Sequence, residues 1–112
     1  MKRLEIVIRP DKVDDLQELL DESGAHGVMI SHIQGYGNQK GHKSLYRGAE
    51  LDIELVPKIK VETVVDDEQV EMIVDRIVTD LGTGKFGDGK IFIYNVQDVV
   101  RIRTGEHGSK AL

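Results

Sequence analysis

Glycine and lysine crowd together in the stretch Thr83-Gly84-Lys85-Phe86-Gly87-Asp88-Gly89-Lys90, which runs straight into the apolar segment Ile91-Phe92-Ile93-Tyr94. Glycines at this density let successive backbone N–H groups turn toward one point, making a concavity that accepts an anion, and Lys90 adds a full positive charge. The chemistry this suggests is phosphate binding. Gly84 and Gly89-Lys90 nearly complete a Walker A loop, but Ile91 stands where that motif needs a hydroxyl for magnesium, and the residues that follow read as a strand where a P-loop opens a helix. The P-loop reading is therefore rejected while the phosphate cradle is kept. The plainer alternative is a glycine-rich turn joining a helix to a strand.

Other cations could join such a site. Arg101 and Arg103 are two apart in Val99-Val100-Arg101-Ile102-Arg103-Thr104-Gly105, so an extended backbone would point both guanidinium groups the same way. An ordinary solvated strand edge would look the same. Lys58 and Lys90 each open a strand-like segment, and together the four cations are candidates to gather round one anion, either within a chain or across a boundary between subunits. Several fixed cations with backbone donors suit a polyphosphate better than a lone carboxylate, and a nucleotide would fit. For catalysis the residues offer little. There is no G-x-S-x-G or H-E-x-x-H, and His26, His32, His42 and His107 show no metal-ligand spacing and read as surface or half-buried histidines. Asp14, Asp15, Asp21 and Glu22 read as a wet helix face, not an acid/base pair.

These residues must be positioned by regular elements, which the periodicity supplies twice over. Leu4, Ile6 and Ile8 alternate with polar neighbours as a strand that Pro10 ends; a helix follows, with Asp11 as N-cap and Val13, Leu16, Leu19 and Leu20 on one face, until Gly24 stops it. Val28 to Ile33 reads as a second strand, breaking at Gly35-Tyr36-Gly37. A third strand runs from Lys58 to Val65, and Asp66 or Asp67 caps a helix carrying Val70, Ile73, Val74, Ile77 and Leu81, which Gly82 closes. Ile91 to Val96 is the fourth strand. Val13, Leu16 and Leu20 recur at one constant interval as Val70, Ile73 and Ile77. Strand-helix-strand repeated with right-handed crossovers predicts an α+β, ferredoxin-like βαββαβ fold: a four-stranded antiparallel sheet with two helices on one face. The other face would carry Val7, Met29, Val64, Phe92 and Tyr94, a surface that calls for a homo-oligomer to bury it.

Between the second and third strands, a long segment over about 37–55 sustains no amphipathic period. Its stretch from Asn38 to Glu50 holds Lys40, Lys43 and Arg47 against a single Glu50. Long segments of this kind are either solvated hairpin tips or functional loops, and a basic arm that touches another protein or closes over an anion is the sharper reading.

Length and composition bound these readings. At 112 residues the chain is one domain, 1–112. With 4 % aromatic residues, no tryptophan and a net charge of −5, stacking on single-stranded nucleic acid and long-range attraction to a polyanion are both disfavoured. The absence of cysteine removes disulfides, thiolate metal sites and a cysteine nucleophile. No apolar run reaches the length of a membrane span and the start has no signal-peptide core, so a cytoplasmic protein is expected.

Taken together, Gly35-Tyr36-Gly37-Asn38-Gln39-Lys40-Gly41-His42, Leu45-Tyr46-Arg47-Gly48-Ala49-Glu50, Val56-Pro57-Lys58-Ile59-Lys60-Val61-Glu62, the glycine-lysine loop through Phe92, and Val100-Arg101-Ile102-Arg103-Thr104-Gly105-Glu106 closely resemble the PII signal-transduction family, in order and spacing, over essentially the whole chain. The resemblance implies homotrimers of ferredoxin-like subunits that bind ATP or ADP in the clefts between neighbours and present long T-loops (here about 37–55) to targets such as membrane transporters and metabolic enzymes. It assigns phosphates to the loop at about 82–90 through Gly87, Asp88, Gly89 and Lys90, joined by Arg101 and Arg103 of the neighbouring subunit, next to a C-terminal loop at about 102–112. Val7, Met29, Gly35 and Val64 would border base and ribose, with Gly37, Asn38 and Gln39 at the T-loop root. In relatives that sense 2-oxoglutarate, the glutamine matching Gln39 ligates magnesium and the lysine matching Lys58 grips a keto-acid carboxylate. Lys40 and Glu62 match a pair that shapes the loop in some ADP-bound relatives. Lys40, Lys43, Tyr46 and Arg47 would face the partner.

Three departures from the family pattern stand out. Leu51 replaces a nucleotidylated tyrosine, Ala49 a phosphorylated serine, and Asn38 the usual arginine beside the phosphates, which removes a cation. The expectation is a non-catalytic nucleotide sensor. Its rivals are an acylphosphatase-like hydrolase on the same fold and a plain oligomeric protein of the CutA type.

Overall fold

The computed structural model describes residues 1–36 and 55–112. Gly37, Asn38, Gln39, Lys40, His42, Lys43, Tyr46, Arg47, Ala49 and Leu51, and with them the expected T-loop, lie outside the described residues.

Strand β1 (Lys2–Ile8), helix α1 (Val13–Glu22), strands β2 (Val28–Gly35) and β3 (Val56–Val65), helix α2 (Asp67–Leu81) and strand β4 (Lys90–Asn95) follow in that order. The sheet runs β2-β3-β1-β4 with every neighbour antiparallel, which is the expected ferredoxin-like topology. Alternation decides which face is covered. Leu4, Ile6 and Ile8 of β1 and Ile59, Val61 and Val65 of β3 are buried against Leu16, Leu19 and Leu20 of α1 and Ile73, Ile77 and Leu81 of α2. Val13 and Val70 pack at its margin. Thr63 is the polar intruder, and its hydroxyl donates to the Gly27 carbonyl at 2.7 Å, so burial costs little.

The opposite face is open. Met29 is 61 % exposed and Phe92 and Tyr94 each 43 %, where a covered face would leave such side chains inaccessible. Arg3 lies 4.2 Å from the Tyr94 ring centroid and 3.6 Å from Glu5, and Lys60 pairs with Glu62 at 3.6 Å, so this face mixes apolar and paired charged residues.

Several boundaries differ from expectation. Asp11 is not the N-cap of α1: Pro10–Lys12 form a 3-10 turn and α1 starts at Val13, with Lys12 at the cap position. Proline at the first position of that turn has its φ preset and no N–H to satisfy, and the Lys12 N–H closes onto the Arg9 carbonyl at 3.0 Å. β2 continues to Gly35 and β3 begins at Val56, because Pro57 sits opposite Gln34 beyond the reach of β1, where a missing N–H breaks no second ladder. β4 spans Lys90–Asn95 instead of Ile91 to Val96. Asp66 caps α2 as expected, with the Gln69 carboxamide oxygen accepting the Asp66 N–H at 3.0 Å and its NH2 donating to the Ser23 carbonyl at 3.2 Å, which ties α2 to the end of α1.

Candidate anion-binding site

The loop between α2 and β4 is built on one carboxylate and two basic side chains. Asp88 accepts the Thr83 hydroxyl at 2.6 Å, the Thr83 N–H at 2.8 Å and the Gly84 N–H at 2.9 Å, closing the loop on itself. Those bonds, the Thr83 hydroxyl first, hold its pKa below the usual carboxylate value, with Arg9 adding to them and desolvation opposing. The Asp88 side chain thus shapes the loop, and what it leaves for an anion is its backbone N–H.

Gly89 carries the loop across the end of β1. Its φ is +98°, and a Cβ there would lie 1.8 Å from the Val7 carbonyl oxygen, so both conformation and space require glycine. Just before it, the carbonyls of Phe86 and Gly87 are held by basic side chains. Arg9 donates to the Phe86 carbonyl at 2.7 Å and to the Gly87 carbonyl at 3.1 Å, and Lys58 donates to the Gly87 carbonyl at 2.7 Å. Among the described residues, the N–H groups of Gly87 and Asp88 donate to no protein acceptor. Successive N–H groups left without a protein acceptor are what an oxyanion needs.

A cleft of about 440 Å³ opens over this loop, lined by Val7, Gly35, Tyr36, Lys58, Lys85, Phe86, Gly87, Asp88, Gly89, Lys90 and Phe92. Of the candidates read from sequence, the structure therefore brings together Val7, Gly35, Lys58 and Gly87 to Lys90. A larger cleft of about 550 Å³ lies on the other side of the loop, between α2 and the β1–β4 strands; it shares Gly84, Asp88, Gly89 and Lys90, but its wall is aliphatic, formed by Val74, Ile77, Val78, Leu81 and Ile91.

The remaining candidates sit elsewhere. Val64 pairs with Arg3, toward the far end of the open face, and Met29 pairs with Glu62, which lies opposite Glu5 at the middle of β1. Arg101 and Arg103 belong to a C-terminal segment anchored at that same far end, where Ser109 donates to Asp66 at 2.6 Å and the Val96 N–H reaches the Met1 carbonyl. The length of β1, roughly 20 Å, separates the anchor of that segment from the glycine-lysine loop. The candidates read from sequence thus fall into separate groups within one chain.

The expectation that an extended backbone aims Arg101 and Arg103 in parallel is corrected. Residues 102–104 form a turn: the Gly105 N–H bonds the Arg101 carbonyl at 2.7 Å, the Arg101 N–H bonds the Glu106 carbonyl at 2.9 Å, and Gly105 reverses the chain at φ +72°. The Arg101 side chain meets Glu106 at 3.3 Å and the main-chain oxygen of Leu112 at 2.9 Å. The His107 ring lies 2.7 Å from Asp98 in the same segment, and His26, His32 and His107 are all exposed, as read from sequence.

Sequence reasoning missed Arg9, Lys85, Tyr36 and Phe86. Arg9 was within reach: it follows the last core residue of β1, and an antiparallel β1–β4 pair puts that position beside the loop that leads into β4.

With this geometry in hand, comparison with known proteins is specific. A sequence profile described as "Nitrogen regulatory protein P-II" matches residues 1–106. The nitrogen regulatory protein P-II of Pasteurella multocida (strain Pm70) is 48 % identical over 112 residues, covering all of both chains. Over the same full lengths, that of Haemophilus influenzae and nitrogen regulatory protein P-II 1 of Escherichia coli (strain K12) are each 47 % identical.

Proposed function

The chain belongs to the nitrogen regulatory protein P-II family of signal-transduction regulators, and from that premise we propose that it is a cytoplasmic, non-catalytic sensor of ATP and ADP. The nucleotide is held between copies of a homotrimer. One copy supplies Gly87 to Lys90, Val7 and Gly35; its neighbour supplies Arg101, Arg103, Met29 and Val64. The observation that carries this reading is the division of the candidate residues into separate groups within one chain, each incomplete alone. Two copies meeting end to end would close them into one.

The residues fit a polyphosphate. The N–H groups of the loop and the Lys58, Lys85 and Lys90 ammonium groups supply donors and charge, and no carboxylate competes, because the Asp88 oxygens are occupied within the loop. Occupancy shifts which conformation of the segment at about 37–55 is favoured, and so alters affinity for a membrane transporter or metabolic enzyme. Lys58, and Gln39 with magnesium, would extend the response to 2-oxoglutarate, against which Asn38 counts as a lost cation.

Titration calorimetry with ATP and ADP tests the site. Lys90→Ala, and the pair Arg101→Ala with Arg103→Ala, are each expected to weaken binding by about tenfold or more, the worth of a charged contact to phosphate. Unchanged affinity in both would remove the proposed site.

A further inference from the structure

We infer that Arg9 is the positioning residue of the phosphate loop, aiming two of its N–H groups before any anion arrives; the inference rests on the anion-binding reading of that loop. The geometry follows from the peptide bond. A trans peptide is planar, with C=O and the following N–H pointing in opposite directions, and the described residues contain no cis bond. The guanidinium of Arg9 holds the carbonyls of two consecutive residues, Phe86 at 2.7 Å and Gly87 at 3.1 Å. Drawing those oxygens to one side turns the Gly87 and Asp88 N–H groups to the other.

Lys58 cannot substitute, because it reaches only the Gly87 oxygen. A planar fork with several donors can fix two adjacent peptide planes, whereas an ammonium is a single point. Gly87 is matched to this clamp: its φ is +93°, and a Cβ there would lie 3.1 Å from a terminal nitrogen of Arg9. Asp88 lies 3.7 Å from the same guanidinium. Part of the Arg9 charge is thus answered within the protein, which leaves Lys58, Lys85 and Lys90 to meet the anion and gives Arg9 an indirect role.

The experiment uses the full chain as wild type, Arg9→Met and Arg9→Lys, with two readouts. In amide NMR spectra without ligand, Arg9→Met is expected to shift and broaden the Gly87 and Asp88 signals, while core amides such as Val61 stay in place. In titrations, its affinity for inorganic tripolyphosphate falls about tenfold, as for loss of a charge-assisted hydrogen bond, while affinity for adenosine is unchanged. Arg9→Lys, able to reach one carbonyl, shows an intermediate loss in both. Unmoved Gly87 and Asp88 amides together with wild-type tripolyphosphate affinity in Arg9→Met overturn the inference. Should that variant not fold, Arg9→Lys decides, and wild-type behaviour there overturns it equally. If wild-type protein binds neither tripolyphosphate nor ATP, the anion reading fails by itself, and the ligand-free amide signals still report whether Arg9 orients the loop.

Discussion

Arg9 and Lys58 donate to one acceptor, the Gly87 carbonyl oxygen, at 3.1 and 2.7 Å. Seventy-eight residues separate Arg9 from Gly87 along the chain. The contact exists because β1 and β4 are antiparallel neighbours and β3 flanks β1 on its other side, so three chain segments end at one corner of the sheet.

Since the carbonyl has two donors, losing one leaves it satisfied. Lys58→Met is expected to change unfolding free energy by less than about 1 kcal/mol, while ATP binding weakens and any effect of added 2-oxoglutarate disappears. Urea denaturation and calorimetry with and without the keto acid check this. A 2-oxoglutarate effect that survives in Lys58→Met would take Lys58 out of that role.

Gly89 allows no such tolerance. Alanine there combines a left-handed φ with a Cβ driven into the Val7 carbonyl, and Gly89→Ala should lose at least about 2 kcal/mol of stability. Thermal and urea unfolding would show it, and a variant as stable as wild type would mean that the loop does not cross β1 as described.

Acid should loosen the same loop. The Asp88 pKa is depressed in the folded chain, so its contribution is present above the unfolded carboxylate value of about 3.9 and is lost as pH falls through the lower folded value. Asp88→Asn is therefore expected to be less stable than wild type near neutral pH, with the gap narrowing as pH drops below about 4. Denaturation at two pH values decides it. A gap that widens in acid contradicts the assigned sign.

In the core, Leu16 and Ile73 are fully buried across the helix–sheet interface. Each, changed to alanine, should lose about 2–5 kcal/mol, with nucleotide affinity preserved in the fraction that stays folded. Wild-type stability in either variant would contradict the packing.

Most of this fold was legible in the chain because apolar residues alternate along β1 and β3 and recur at helical spacing in α1 and α2, so a single burial pattern satisfies these four elements. Boundaries went wrong where one local residue acted against that pattern: Pro10 imposed a 3-10 turn ahead of α1, and Gly105 bent an apparently extended Arg101–Arg103 stretch. The loop between α2 and β4 could be read from its glycines and lysines. Its mooring was harder to read, since the carbonyls of Phe86 and Gly87 carry no side-chain signal and their donors are remote in sequence, Arg9 just after β1 and Lys58 in β3. Asp88 lines the cleft, and what its residue type did not tell is that its carboxylate oxygens serve Thr83 and Gly84.

The central claim is that the two half-sites of one ligand come from different copies of the chain. Mixing Lys90→Ala protein with the Arg101→Ala, Arg103→Ala double variant, after unfolding and refolding together, tests it by ATP titration. Neither variant alone should bind well, and the mixture should regain a fraction of wild-type sites, because some junctions then pair an intact loop with intact arginines. A mixture as silent as its parents, while wild type binds, would contradict the account.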